Sequence, residues 1–147
     1  MTNGKLKRTR RILLVLGVVL LAACALVLGR PSIHTAAREG DMATVEKLLK
    51  RGCNPDKRSW RNSTPLIEAA SAGHLDVVEL LVENGADVNK SGETTFQKPL
   101  HFAAYEGHVE IVEFLLKHGA NVDNALHSAA MGGQIEIAGI LLENRAD

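Results

Sequence analysis

Histidine is the residue type in this sequence best suited to bind a metal ion or move a proton. Five of the six histidines recur at two fixed positions of a repeated pattern: His34, His101 and His127 at one, His74 and His108 at the other. Zinc needs ligand atoms about 2.1 Å from a common ion, whereas equivalent residues of stacked helical repeats lie about 10 Å apart. Because Ile67 fills the first position in one repeat, we predict structural, hydrogen-bonding histidines and no metal site.

Cysteines and carboxylates offer no better basis for catalysis. Cys24 lies inside an apolar run, and Cys53 aligns with Ala86 and Ala120, which predicts a small packed side chain rather than a reactive thiol. Glutamates recur at one repeat position, as expected of solvated helix surfaces. We find no nucleophile elbow, phosphate-binding glycine loop or paired catalytic carboxylates. The sequence therefore predicts no enzyme, no cofactor and no small-molecule substrate.

The first thirty residues have the pattern of a membrane anchor. Residues 1–11 hold five bases and no acid, and residues 12–29 are 18 consecutive residues without a charge. A helix of that length covers about 27 Å, close to the hydrocarbon thickness of a bilayer. We predict a basic cytoplasmic flank at 1–11 and a single transmembrane helix at 12–29.

Two other fates of this segment stay open. Leu21-Ala22-Ala23-Cys24 is similar to a site where a bacterial signal sequence is cut and Cys24 is lipidated, and simple cleavage is a third option. The apolar residues after Cys24 favour the retained span. The excess of bases before the span places the repeats outside the cytoplasm if the chain is bacterial. A nucleic-acid-binding arm is disfavoured, because no aromatic residues interleave the lysines.

The rest of the chain consists of four similar segments. Each has a pair of alanines followed three residues later by a glycine, and these glycines are Gly40, Gly73, Gly107 and Gly133. We place the repeats at about 31–63, 64–97, 98–123 and 124–147. A single copy is too short to bury its own apolar face, so neighbouring copies must stack.

The second copy shows how each repeat should fold. Gly73 should end a first helix in a left-handed conformation. Val77, Val78, Leu80 and Leu81 form the apolar stripe of a second helix, and Gly85 ends it. The segment "TPLIEAASAGHLDVVELLVENGADVN" from Thr64 to Asn89 resembles the ankyrin repeat family. The resemblance covers residues 31–147. It implies an all-α fold, an ankyrin-type α-solenoid of stacked helix-turn-helix repeats joined by hairpin-like fingers, here preceded by the transmembrane helix.

Some residues depart from the family pattern. Asn62 stands where a finger usually has glycine, and Asn tolerates the left-handed region. Only "ANVDNA" separates Gly119 from the fourth repeat, so a bare loop should replace the third finger. In the last repeat Arg145 replaces the terminating glycine, and we expect Gly139 to interrupt the helix and the end to fray.

The resemblance implies that a protein partner binds the concave face and the fingers. The variable positions there include the only Trp and Tyr of the chain, residue types that dominate interface hot spots. The predicted partner-binding residues are Arg38, Arg58, Trp60, Arg61, Phe96, Tyr105, Glu106 and Met131. The alternative for Trp60 is packing against its own finger.

Charge changes sign along the repeats. Residues 31–63 carry seven bases and four acids, a net charge of +3, and residues 64–147 carry four bases and 13 acids, a net charge of −9. Since only Arg30 and Pro31 separate the predicted span from the repeats, we hypothesise that Lys57, Arg58, Trp60 and Arg61 face anionic headgroups. The acidic remainder would favour a partner with a basic surface.

Together these features predict a membrane-tethered adaptor that binds a protein partner without catalysis. The alternative is an inhibitor or immunity-type protein that blocks a periplasmic or secreted enzyme. Neither function needs nucleic acid.

Overall fold

Residues 31–92 and 98–145 are described by a computed structural model, and they form four pairs of helices without a strand among them. The first helices of the pairs are α1 (Ile33–Glu39), α3 (Pro65–Ala72), α5 (Pro99–Glu106) and α7 (Ala125–Gly132). The second helices are α2 (Met42–Lys50), α4 (Leu75–Glu83), α6 (Val109–Lys117) and α8 (Ile135–Arg145).

The pairs stack in chain order into a solenoid. First helices contact first helices, and second helices contact second helices, from each repeat to the next. The alanine pairs lie where the first helices approach most closely, and Ala69, Ala70, Ala103 and Ala104 are fully buried. In α4 the predicted stripe is confirmed, because Val77, Val78 and Leu81 are also fully buried, and Leu80 is half-buried and packs against the core. A single continuous core therefore runs from Ile33 to Leu141.

Short side chains and glycine define where the first helices begin and end. The Oγ of Ser32 accepts a hydrogen bond from the backbone N–H of Thr35 at 3.1 Å, and Thr64 caps α3 in the same way. At the other end of α3, Gly73 has φ +82°, a conformation that an L-residue adopts only with strain. The predicted helix end at Gly73 is thus confirmed.

In repeats two, three and four, the residue directly after the glycine that ends the first helix contacts the preceding repeat. The Nε2 of His74 lies 3.1 Å from the carbonyl of Arg38, and the Nε2 of His108 lies 3.2 Å from the carbonyl of Ser71. Gln134 takes the same position in repeat four and contacts the carbonyl of Tyr105 at 3.4 Å. We call these three contacts the inter-repeat clamps. They confirm the structural role predicted for His74 and His108.

Histidines at the other repeat position bind the connection that follows the helices of their own repeat. His34 bonds the carbonyl of Lys57 at 2.6 Å, and His101 bonds the carbonyl of Asp123 at 2.7 Å. The short loop predicted in place of the third finger is thereby held by His101. In the first finger, Asn62 has φ +59°, the left-handed conformation expected at that site.

The last repeat differs from the prediction in one respect. Helix α8 continues through Gly139 to Arg145, so the expected interruption is wrong. One helical glycine costs only about 1 kcal/mol, and Ile137 and Leu141 on either side are buried in the core. Their burial outweighs the poor helix propensity of glycine.

The predicted membrane segment lies outside the described residues, as does its alternative lipidation site Cys24. Within residues 31–92 and 98–145, no helix has the length and apolar character needed to cross a bilayer. Cys53 is half-buried and packs against the core, as its alignment with alanine predicts.

Candidate functional site

A groove of about 580 Å³ lies along α5 and α7. Phe102, Tyr105 and Glu106 lie on one face of α5, because their spacing is i, i+3, i+4. From α7 the facing side chain is Met131, which is 65% exposed, while Tyr105 is 44% exposed. Three apolar or aromatic side chains therefore line a cavity that is open to solvent.

A smaller cavity of about 200 Å³ continues this surface toward the first finger. The two cavities share Ser71 and Phe102, so they form one continuous surface across α3, α5 and α7. We call this surface the inner groove, and the residues that define it are Arg61, Glu68, Ser71, Phe102, Tyr105, Glu106, His127 and Met131.

The inner groove is apolar in its centre and carries charge at its edges. Glu106 borders the larger cavity, and Glu68 borders the smaller one. The guanidinium of Arg61 stacks on the ring of Trp60, 4.6 Å from its centroid, which is a cation–π contact. Glu68 therefore shares the smaller cavity with a guanidinium that already has a partner, and Glu106 lies at the larger cavity.

Trp60 lies at the tip of the first finger and is 88% exposed. It does not pack into its own finger, so the alternative expected for it is wrong. Its neighbour Arg58 is engaged, because Nη1 donates to Oδ1 of Asn62 at 2.8 Å and to the carbonyl of Gly92 at 3.0 Å. Arg58 thus links the first finger to the segment between repeats two and three, and it has fewer N–H donors available for a partner.

The structure brings together Tyr105, Glu106, Met131 and Arg61 from the predicted set. Arg38 is exposed on α1 but does not line the groove, and Phe96 lies outside the described residues. The sequence reasoning missed Phe102, although its i−3 relation to Tyr105 places both on one helix face.

His127 differs from the role predicted for it. The sequence assigns it to the structural position of His34 and His101, but its side chain is exposed and lines the groove. Among the described residues its ring has no hydrogen-bond partner. At this position His34 and His101 donate to a carbonyl of the connection that follows their repeat, and no such connection follows His127 within the described residues.

Among residues 31–92 and 98–145, two groups have shifted pKa values, and both stabilise helix ends. Burial lowers the pKa of His101, whose Nδ1 accepts from the backbone N–H of Lys98 at 3.2 Å. Hydrogen bonds from the side chain and backbone of Thr44 lower the pKa of Asp41 at the start of α2. The described residues contain no group of three side chains that could hold a metal ion.

Comparison with known proteins agrees with this architecture. A family model described as "Ankyrin repeats (3 copies)" matches residues 13–92, 33–124 and 92–147. The chain belongs to the ankyrin repeat family, whose repeats indicate protein–protein interaction.

Three curated relatives each match less than half of this chain. Ankyrin repeat-containing protein P1E11.10 of Schizosaccharomyces pombe is 39% identical over 67 residues, which are 44% of this chain and 32% of that protein. The ankyrin repeat and KH domain-containing protein CBG24701 of Caenorhabditis briggsae is 42% identical over 60 residues, 41% of this chain and 2% of that protein. Glycerophosphocholine phosphodiesterase gde1 of S. pombe is 39% identical over 71 residues, 46% of this chain and 6% of that protein. The chain spans at most about a third of each of these three relatives.

Proposed function

We propose that this chain is a membrane-tethered ankyrin repeat protein that binds a protein partner in the inner groove and has no catalytic activity of its own. The observation that carries the proposal is the groove of about 580 Å³ beside the exposed Tyr105 and Met131. Aromatic residues and methionine are enriched in the buried centres of protein interfaces. A partner side chain that filled this cavity would remove their apolar surface from water.

Charge favours a partner with a basic surface. Glu68 and Glu106 border the two cavities, and residues 64–147 carry a net charge of −9. Complementary charge increases the association rate and excludes partners of like charge. The binding should therefore weaken as salt concentration rises.

The membrane part of the proposal rests on residues 12–29, with lipidation at Cys24 as the alternative anchor. The first repeat would then lie near the bilayer, and its net charge of +3 suits anionic headgroups. Lys57 and Arg61 would each contribute on the order of 1 kcal/mol at such a surface. The exposed Trp60 has the ring type that concentrates at membrane interfaces.

Site-specific photo-crosslinking in the native cell tests the groove. A benzophenone amino acid at Met131 should give a discrete crosslinked protein band, and the same group at Glu79, exposed on the outer helix α4, should not. Glu106→Lys should weaken the Met131 crosslink, whereas Glu79→Lys should leave it unchanged. Equal crosslinking from both positions would contradict the proposal. Recovery of a secreted enzyme as the crosslinked protein would support the inhibitor alternative.

Two measurements test the tether. The intact mass of membrane-extracted protein should correspond to the full chain, while a diacylated species that begins at Cys24 would establish the lipoprotein instead. Recovery only in the soluble fraction would contradict both. Flotation of residues 31–147 with anionic vesicles should depend on Trp60, and an unchanged result for Trp60→Ala would exclude the headgroup contact.

A further inference from the structure

The larger cavity of the inner groove has an acidic side chain without a cationic partner. Glu106 borders this cavity, and no lysine or arginine of the described chain is among the residues that line it. Within residues 31–92 and 98–145 Glu106 forms no ion pair. In the smaller cavity, by contrast, Glu68 and the guanidinium of Arg61 are both lining groups. The carboxylate that no cationic side chain accompanies therefore belongs to the larger cavity.

Small residues in the neighbouring repeats leave the side chain of Glu106 accessible. Ala72 of repeat two and Gly132 of repeat four occupy the same repeat position as Glu106. A methyl group added at Gly132 would collide with the carbonyl oxygen of Tyr105, so α7 packs against the end of α5 with no side chain between them. Glu106 is exposed. Its carboxylate therefore faces solvent beside the cavity, and no longer side chain occupies its position in either neighbouring repeat.

Aromatic side chains supply the other half of the arrangement. Tyr105 directly precedes Glu106, and Phe102 lies one helical turn earlier on the face that lines the cavity. The face of an aromatic ring attracts a cation electrostatically. Tyr105 and Glu106 also end α5, where the helix dipole places partial negative charge. The cavity therefore combines aromatic surface with negative charge from two sources.

An arginine side chain has the chemistry that suits this combination. Its aliphatic stem can lie against Phe102 and Met131, as the stems of long cationic side chains do on apolar surfaces. Its planar guanidinium stacks on aromatic rings and forms paired hydrogen bonds with a carboxylate, which a lysine ammonium does not. The chain itself contains a stack of this kind, because Arg61 lies 4.6 Å from the centroid of the Trp60 ring.

We propose that the larger cavity binds one arginine side chain of the partner protein, with Tyr105 against the guanidinium plane and Glu106 accepting its hydrogen bonds. This site rests on the function proposed above and adds the side chain that the inner groove selects. The net charge of −9 over residues 64–147 favours a basic segment around that arginine. A lysine in its place would keep the attraction to Glu106 but lose the stacking and the paired hydrogen bonds.

Selection of random twelve-residue peptides on the full chain in detergent micelles tests the proposal. Peptides that bind the wild-type chain but not Tyr105→Ala should share an arginine at one fixed position, and circular dichroism verifies that this variant keeps its helices. Tyr105-dependent peptides without arginine, or with lysine there as often, would overturn the arginine site and leave the function proposed above intact. Failure to recover any Tyr105-dependent peptide would overturn both.

A second measurement isolates the contact between the guanidinium and Glu106. Replacing the arginine of a selected peptide by citrulline, which has the same shape without the charge, should raise the Kd about 10–100-fold in fluorescence anisotropy. Glu106→Gln should weaken the arginine peptide by a similar factor and make the citrulline replacement nearly neutral. Glu79→Gln is the matched control on the outer helix α4 and should leave binding unchanged. An equal loss from citrulline with and without the Glu106 carboxylate would overturn the proposal.

Discussion

Replacing Gly73 by alanine should destabilise the repeats by clearly more than the same change at Gly85. The two glycines belong to one repeat and have nearly the same backbone conformation, with φ +82° and +87°. They differ in what surrounds them. Beyond Gly85 there is open space, whereas the His108 ring of the next repeat lies directly over Gly73.

The shared part of the effect is backbone strain. An alanine held in the left-handed region costs about 1–2 kcal/mol relative to glycine. At Gly85 nothing else changes. The predicted loss of unfolding free energy for Gly85→Ala is therefore about 1–2 kcal/mol.

At Gly73 a steric effect is added. The new methyl group would lie 2.6 Å from Cε1 of His108, well inside ordinary contact distance, so the ring must move. Its Nε2 already lies 3.2 Å from the Ser71 carbonyl, and further displacement breaks this hydrogen bond. A net hydrogen bond contributes about 0.5–1.5 kcal/mol. With the lost packing of the ring, Gly73→Ala should destabilise the protein by about 2–4 kcal/mol.

Urea denaturation of residues 31–147, followed by circular dichroism, measures both values. This segment contains all core residues of the described chain. A double-mutant cycle with His108→Ala isolates the clamp, because removal of the ring should make Gly73→Ala no more costly than Gly85→Ala. Equal losses at the two glycines in the wild-type background would refute the reasoning, as would an extra loss at Gly73 that survives without His108.

Three further predictions concern single residues. Burial lowers the pKa of His101 below 6.5 in the folded state, so the unfolded chain binds more protons. The unfolding free energy should therefore fall as the pH drops below about 6.5. His101→Ile, which introduces the residue type of Ile67, should reduce this pH dependence in urea titrations across that range. The pKa of Asp41 is lowered in the folded state, so the Asp41 carboxylate stabilises the fold above pH 3.8. This stabilisation is lost as the pH falls through the pKa of the folded state. Asp41→Ala should therefore lower the urea midpoint at neutral pH but not in strong acid. Gly139→Ala should raise the unfolding free energy by about 0.5–1 kcal/mol, since Gly139 is helical and a methyl group there has open space, whereas Gly133→Ala at φ +71° should lower it.

Much of the fold follows from local sequence chemistry. Gly73 and Asn62 are recognisable in the sequence because few residue types adopt positive φ without strain. The apolar spacing in α4 identifies the buried face before any tertiary contact is known. These features concern one helix or one turn, where the sequence neighbourhood contains the physical cause.

The site depends on contacts between repeats, and the sequence predicts it less completely. The inner groove joins Ser71 of one repeat to Tyr105 of the next and Met131 of the one after, so its shape depends on how the repeats stack. The sequence predicts that Arg58 is an exposed residue that binds a partner, but the carbonyl that it binds belongs to Gly92, 34 residues away. The continuity of α8 through Gly139 likewise depends on burial on both sides of that residue.

The clamps explain how the groove can vary in sequence and still keep its shape. Each clamp ends on a backbone carbonyl, and two of these carbonyls belong to the groove residues Ser71 and Tyr105. A carbonyl is present whatever the side chain, so the hydrogen bond fixes the helix end while the side chain remains free to suit a partner. Binding then requires little ordering of the backbone, which reduces the entropy lost on association. By this reasoning, the loss of the His108 clamp should loosen the groove at Ser71 even though His108 itself does not line it.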